Sequence, residues 1–145
     1  MKSKLDERQL LLRGNALKHG FILIVNLLLI DAFLKDLGIV LIEGMWGNIL
    51  IIVISSCVCL NEMVINDSMN IEEKSERMLV LLLGIGGLIL FVWGIIDLVI
   101  KPSKIILKGS LSKQGAEMFM AIAWSSVLIT YLFKRKKLKQ LDEES

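Results

Sequence analysis

The chain has 145 residues, of which 54% are hydrophobic and 22% charged, with 17 Lys and Arg against 15 Asp and Glu. A soluble domain is normally about 45–50% apolar, and here the charges also cluster in five patches between long apolar runs. This arrangement excludes disorder, a coiled coil, a nucleic-acid-binding domain and a secreted disulfide scaffold, and it indicates a polytopic membrane protein. We therefore expect the lipid bilayer to be a partner of this chain and nucleic acid not to be one.

In residues 5–19, which precede the first apolar run, helical spacing puts Leu5, Leu12 and Ala16 near one side and the charged residues elsewhere. This pattern predicts a short amphipathic helix that lies on the inner membrane surface and leads into the first span. The mixed charges of this segment and the lack of a small-x-small cleavage site are not typical of a cleavable signal peptide.

Four apolar segments are long enough to cross about 30 Å of hydrocarbon as helices. The second and third are the strongest, because residues 49–60 and 78–96 contain no charge. The sequence therefore predicts a single all-α domain, an integral membrane four-helix bundle, with a C-terminal tail. The predicted spans are residues 16–34, 46–65, 78–100 and 116–133, and the tail is residues 134–145.

The orientation of these spans follows from the distribution of Lys and Arg, which favour the cytoplasmic side of short loops. Twelve of them lie on the side that holds both termini and five on the other side. Both termini are therefore predicted to be cytoplasmic. The loop after the third span is the exception to this bias, since it carries Lys101, Lys104, Lys108 and Lys113.

Two aspartates lie toward the outer ends of predicted spans, and each has a lysine four residues later. These pairs are Asp31 with Lys35 and Asp97 with Lys101, a spacing at which side chains meet on a helix face. One interpretation is a pair of boundary ion pairs whose lysines reach toward the headgroups. The other is that Asp31 is a proton- or cation-binding carboxylate facing a crevice of the bundle, because charges within spans are functional candidates.

The first span also contains His19 and Asn26, which share a helix face at a separation of seven residues. Asn26 is expected to make an interhelical hydrogen bond, and these two residues join Asp31 as candidate ion- or substrate-binding residues. Cys57 and Cys59 point about 200° apart on a helix and cannot share one metal. With a single histidine in the chain, neither a metal site nor a cofactor is expected.

Small residues recur on one side of the third span. Gly87 and Gly94 share a face, and Gly84 lies one turn earlier on nearly the same side. Because small residues allow helix backbones to approach closely in membranes, this pattern predicts a helix-packing face.

The opening residues Asp6-Glu7-Arg8-Gln9, followed by Gly14-Asn15-Ala16 and an apolar helix, resemble the start of small four-helix bacterial membrane proteins of uncharacterised function. The similarity covers about the first 30 residues and the four-span layout. It implies a location in the bacterial plasma membrane, which is the inner membrane, and it supplies no catalytic residues and no assigned activity.

The sequence contains no catalytic motif such as H-E-x-x-H, G-x-S-x-G or a phosphate-binding loop. We therefore expect a non-enzymatic protein that acts through helix–helix contacts as a subunit, regulator or immunity-type partner, with another membrane protein or a second copy as its partner. The alternative is a small proton-coupled homodimeric transporter that uses Asp31. A third class, a lipid-binding protein, is based on the basic residues 134–137, which attract anionic lipid.

Overall fold

The computed structural model describes residues 6–42, 44–69, 73–100, 105–107 and 109–144. It contains four long helices that pack against one another, each long and apolar enough to cross a membrane. The prediction of an all-α fold with four packed helices is therefore confirmed, with a short β-hairpin added between the last two helices. The elements in chain order are α1 (Glu7–Asp36), α2 (Trp46–Ile65), α3 (Lys74–Ile100), β1 (Ile106–Leu107), β2 (Ser110–Leu111) and α4 (Lys113–Glu144).

The helices differ from the predicted spans mainly at their polar ends. α2 covers the same residues as the second predicted span, whereas α1, α3 and α4 extend beyond theirs. The described part of residues 5–19 is not a separate surface helix, because α1 continues through it into the apolar segment without a break. Residues 134–144 of the predicted tail continue α4 as a helix. Hydropathy marks where a helix becomes apolar, but capping groups decide where it begins and ends.

The start of α1 is fixed by a capping box. The Asp6 carboxylate accepts a hydrogen bond from the Glu7 backbone N–H at 2.7 Å, and the Gln9 side chain accepts one from the Asp6 backbone N–H at 3.1 Å. These contacts satisfy N–H groups that have no partner within the helix. The Asp6-Glu7-Arg8-Gln9 segment therefore has a local structural role, since it supplies the two side chains that this cap requires.

The ends of α1 and α2 share one backbone arrangement. At the end of α1, Gly38 has φ +77°, and the Ile39 N–H donates to the Leu34 carbonyl at 2.8 Å. At the end of α2, Asp67 takes the same place with φ +54°, and the Ser68 N–H donates to the Met63 carbonyl at 3.1 Å. This is the Schellman pattern of helix termination, in which a left-handed residue lets the chain leave the helix.

The four helices run alternately up and down and pack in the order α1, α2, α4, α3. We call the end where α1 and α3 begin the termini end, and the opposite end the hairpin end. The buried core lies in the half of the bundle toward the termini end. Its members are Ala16, Cys57, Cys59, Met63, Val64, Met69, Val80, Val127, Leu128 and Tyr131.

At the hairpin end, the β1–β2 hairpin, which belongs to the connection between α3 and α4, is hydrogen-bonded to the connection between α1 and α2. The Leu111 N–H donates to the Leu41 carbonyl at 2.7 Å, and the Ser110 hydroxyl donates to the Val40 carbonyl at 2.6 Å. Immediately afterwards, the Ser112 hydroxyl accepts from the Gly115 N–H at 3.2 Å and so caps the start of α4. The segment after α3 is therefore tied to the connection between α1 and α2.

The predicted glycine face of α3 lies against α4. A Cβ added at Gly84 would meet the Leu128 side chain, and one at Gly87 would stand 2.8 Å from the Ser125 backbone nitrogen. Gly94 lies at the far end of the same face, where an added Cβ would be 3.2 Å from Met118 Cγ. Gly86, on another side of α3, has no described atom within 4 Å of such a Cβ. The close approach of α3 and α4 therefore depends on the absence of side chains at Gly84 and Gly87.

We expect Gly87→Ala to lower the free energy of unfolding by about 1–3 kcal/mol, as overpacking in a tight interface does. The new methyl group would press on the α4 backbone, which a side-chain rotation cannot relieve. The measurement is unfolding of the purified protein in detergent.

Gly86→Ala is the matched control, and we expect it to be neutral or to stabilise by about 0.5–1 kcal/mol, because alanine favours the helix over glycine. Equal stability of the two variants would contradict the packing described for α3 and α4.

Candidate functional site

The three polar residues predicted as a site on α1 do not converge in the structure. His19 Nδ1 lies 2.9 Å from Glu62 Oε1 on α2. Asp31 is held within its own helix, since Lys35 Nζ donates to Asp31 Oδ2 at 2.6 Å. Asn26 is exposed, and its side chain makes no hydrogen bond with another described residue. At 100° per residue, Asp31 lies about 140° away from Asn26 around the helix. His19 and Asn26 therefore lie on one side of α1 with different contacts, and Asp31 lies on another side.

The two aspartates predicted as ion pairs also have different contacts. Asp31 forms the expected pair with Lys35, and its side chain is only 13% exposed. Asp97 accepts a hydrogen bond from Gln114 Nε2 on α4 at 2.9 Å. Lys101, the predicted partner of Asp97, lies outside the described residues. Because Gln114 donates this hydrogen bond, the Asp97 side chain faces α4 and has a partner on that helix.

Charged side chains connect the helices at the termini end. Arg13 Nη1 on α1 lies 2.9 Å from Glu76 Oε1 on α3. Lys134 Nζ on α4 lies 2.8 Å from Asp67 Oδ2, in the segment after α2. Together with the contact between α1 and α2 at His19, these pairs link all four helices at one end. We call these two ion pairs and the hydrogen-bonded contact between His19 and Glu62 the charged belt.

Asp67 connects the charged belt to two other helices. Its side chain accepts from Lys134, and its backbone carbonyl accepts from Gln9 Nε2 at 3.1 Å. The positive φ of Asp67 at the end of α2 turns the chain so that these contacts form. The residue that ends α2 therefore also holds the start of α1 and the end of the apolar part of α4.

The glutamates of the charged belt were not singled out from the sequence. Glu62 and Glu76 are 43 and 63 residues from their partners His19 and Arg13, so no local spacing indicates these pairs. The predicted spans do give an indication of these pairs. They place Glu62, Glu76 and their two partners at the same side of the predicted bilayer. Pairing opposite charges on neighbouring spans at that side would have proposed both contacts.

A row of exposed residues runs along α1 beside its packed face. We call this row the α1 stripe, and Ile22, Leu29 and Phe33 within it are 45%, 52% and 69% exposed. The spacing alternates between three and four residues, the spacing with which helices pair in coiled-coil geometry. The α1 stripe consists of His19, Ile22, Asn26, Leu29 and Phe33.

Asn26, at the centre of the α1 stripe, differs in its hydrogen bonding from Asn61, which lies between α2 and α4. Asn61 Nδ2 on α2 donates to Ser126 Oγ on α4 at 3.0 Å, and Ser126 in turn donates to the Ala123 carbonyl at 2.7 Å. That amide thus has a partner on the neighbouring helix. Asn26 has the same hydrogen-bonding groups in the middle of an apolar helix, but no described residue of the chain satisfies them.

No family model, curated protein or solved structure matches the chain. In the part of the chain that the structure describes, no group of three or more His, Cys, Asp and Glu side chains is placed to hold a metal ion. The function must therefore be inferred from the helix surfaces, the charged belt and the exposed asparagine.

We expect the contact between Arg13 and Glu76 to couple α1 to α3 by about 0.2–1 kcal/mol, the range of partly exposed ion pairs. The measurement is a double-mutant cycle of unfolding free energies with Arg13→Gln, Glu76→Gln and the double variant. Arg8→Gln is the control, because Arg8 is exposed and makes no ion pair with a described residue. A coupling energy of zero would show that this pair does not hold the two helices together.

Proposed function

We propose that the four helices cross a bilayer, so that the chain is a multi-pass membrane protein. Each helix exposes large apolar side chains that would be costly to hydrate, among them Phe21, Ile52, Leu82 and Phe133. Exposed apolar patches of this extent mark a surface that contacts lipid or another protein. The excess of Lys and Arg at the termini end supports a cytoplasmic location for both termini, and the resemblance of the N-terminal segment supports the bacterial plasma membrane.

The orientation is tested with single cysteines in a background that carries Cys57→Ala and Cys59→Ala. We expect Ile106→Cys, in the exposed hairpin, to react with a membrane-impermeant maleimide in intact cells. Lys139→Cys should react only after the membrane is permeabilised, because the termini end would face the cytoplasm. The reverse labelling pattern would show that the chain has the opposite orientation, and labelling of both positions in intact cells would contradict a membrane-spanning fold.

We further propose that the protein is non-enzymatic and acts as a subunit of a membrane assembly, through helix–helix contacts made by the α1 stripe. The observation that carries this proposal is the exposed Asn26 amide in the middle of α1. Lipid chains offer it no hydrogen bond, and an unsatisfied polar group in hydrocarbon costs free energy. A partner helix that supplies a polar group at the same depth would remove this cost.

A second copy of the chain is the partner that fits this surface best. An asparagine amide has both a donor and an acceptor, so two copies of Asn26 satisfy each other across a twofold axis. In the same arrangement Ile22 and Leu29 of one copy pack against those of the other, at the three- and four-residue spacing of paired helices. Ala16 and Gly20 face the bundle and His19 contacts Glu62, which leaves the part of the α1 stripe from Ile22 to Phe33 free to make this contact.

No observation favours the alternative function, a proton-coupled transporter that uses Asp31. Its carboxylate is already paired with Lys35 inside α1 and faces away from Asn26. A regulator or immunity-type protein remains within the proposed class, because it would use the same helix surface toward its target.

We expect Asn26→Leu to weaken self-association of the purified protein in bicelles. Hydrogen bonds of this kind between membrane helices contribute about 0.6–2 kcal/mol, so the dissociation constant should rise roughly 3- to 30-fold. The measurement is energy transfer between two differently labelled populations of the protein as the ratio of protein to lipid is varied.

Asn48→Leu is the control, because it removes the same amide from an exposed position on α2 that lies outside the α1 stripe. A protein that is monomeric at every protein-to-lipid ratio, or one whose association is unchanged by Asn26→Leu, would contradict this proposal.

A further inference from the structure

A cavity of about 360 Å³ lies between α2, α3 and α4 toward the hairpin end. Its lining includes Trp46, Trp93 and Trp124, which are all the tryptophans of the chain. None of the described lining residues belongs to α1, so the cavity is separate from the α1 stripe. Its volume falls within the range of small-molecule pockets, about 300–1,000 Å³.

The tryptophans make the cavity suited to a cation. The face of an indole ring attracts positive charge, and tryptophan is the strongest of the aromatic side chains in this interaction. One of the three rings already holds a cation in the structure, because Lys113 Nζ lies 4.8 Å from the centroid of Trp46. The geometry at Trp46 therefore shows that a positive group can reach a ring of this cavity.

Two carboxylates add charge to the same cavity. Asp97 and Glu117 both line it, and the described lining residues include no cationic side chain. The described contact of Asp97 is with the neutral Gln114 amide, whereas Glu117 lies 3.6 Å from Lys113. The charge of the described lining is therefore negative, which favours a positive ligand.

The polar and apolar parts of the cavity are separated along the helices. Leu90 and Trp124 each lie seven residues from a carboxylate of the same helix, Asp97 and Glu117 respectively. At 1.5 Å per residue, seven residues span about 10 Å along a helix, so Leu90 and Trp124 lie about 10 Å further from the hairpin end than the two carboxylates. Met120, whose flexible side chain adapts to different ligand shapes, lines this inner part. A ligand that fits both parts has a positive group and an apolar group.

We propose that this cavity binds a small organic ammonium cation that carries an apolar substituent. Its ammonium group would lie near Asp97 and Glu117 and against the indole rings, and its substituent would reach toward Leu90 and Trp124. An inorganic cation fits less well, because two carboxylates among indole rings cannot replace its hydration shell. A choline lipid headgroup also fits less well, because its phosphate would lie close to the carboxylates.

The test uses benzyltrimethylammonium as the probe, added to the full-length protein in a maltoside detergent, which carries no charge. Because every tryptophan of the chain lines the cavity, tryptophan fluorescence responds to a ligand bound there. Trp93 is also exposed on the outer face of α3, so the Asp97 variant below separates binding in the cavity from contact at that face. We expect saturable quenching by benzyltrimethylammonium, and no comparable change with neopentylbenzene, which has the same shape without the charge. Phosphocholine at the same concentrations should compete weakly, which distinguishes a free ammonium cation from a lipid headgroup.

Asp97→Asn should weaken binding roughly tenfold, because it removes a charged partner of the ligand. The asparagine oxygen can still accept the hydrogen bond of Gln114, so the contact between α3 and α4 is kept. Asp36→Asn is the control, since Asp36 is an exposed aspartate at the hairpin end that does not line the cavity, and it should leave binding unchanged.

Lys113→Gln should instead tighten binding about 2- to 5-fold, because it removes the lysine that covers the Trp46 ring. A gain in affinity cannot result from a misfolded protein, so this variant remains informative if Asp97→Asn is unstable. The absence of quenching at millimolar benzyltrimethylammonium, equal binding of neopentylbenzene, or an unchanged affinity in Asp97→Asn would each overturn the proposal. None of these results depends on Asn26 or on self-association.

Discussion

The close approach of α3 and α4 is the constraint on which the rest of the structure depends. Within the bilayer that we propose, the hydrophobic effect would supply no driving force between the helices, so contact would come from tight packing and polar pairs. Gly87 brings α3 so near α4 that an added methyl group would meet the α4 backbone. α4 then presents Ser126 to α2, and α2 presents the Ser55 and Cys59 region to Gly20 of α1. The helices thus pack in sequence from this pair: α3 contacts α4, α4 contacts α2, and α2 contacts α1.

The two ends of the bundle have different characters. At the termini end, the buried core and the charged belt involve all four helices. Toward the hairpin end, the described contacts are the hydrogen bonds of the hairpin to the α1–α2 connection, ion pairs within α1 and α4, and a glutamine–aspartate hydrogen bond beside a cavity between three helices. Open surface is present at both ends, because a groove of about 640 Å³ lined by Thr130, Phe133 and Lys134 lies at the termini end. Trp124 lines the cavity between α2, α3 and α4 and also packs against the buried core, so the two are in contact.

The sequence was sufficient for the number and approximate position of the helices, because uncharged runs as long as residues 49–60 and 78–96 have few alternative structures. It was not sufficient for the helix ends, where polar residues such as Asp6 and Ser112 cap helices that hydropathy alone would start later. The glycine spacing of α3 predicted a packing face but could not identify α4 as its partner. The pairs that form the charged belt, and the meeting of three distant tryptophans, depend on how the helices are arranged, which no local pattern encodes.

The hydrogen bonds between the hairpin and the α1–α2 connection set an order of assembly. Leu41 lies in the first third of the chain and its partner Leu111 in the last third, so this bond cannot form until nearly the whole chain has been synthesised. The first two helices can pack against each other before that point, but their connection lacks its final partner until β2 emerges. Chains of this kind are exposed to mispairing while they wait for a distant segment. Truncation before residue 110 would therefore leave the connection at residues 40–42 without its native contacts, even though α1, α2 and α3 were all present.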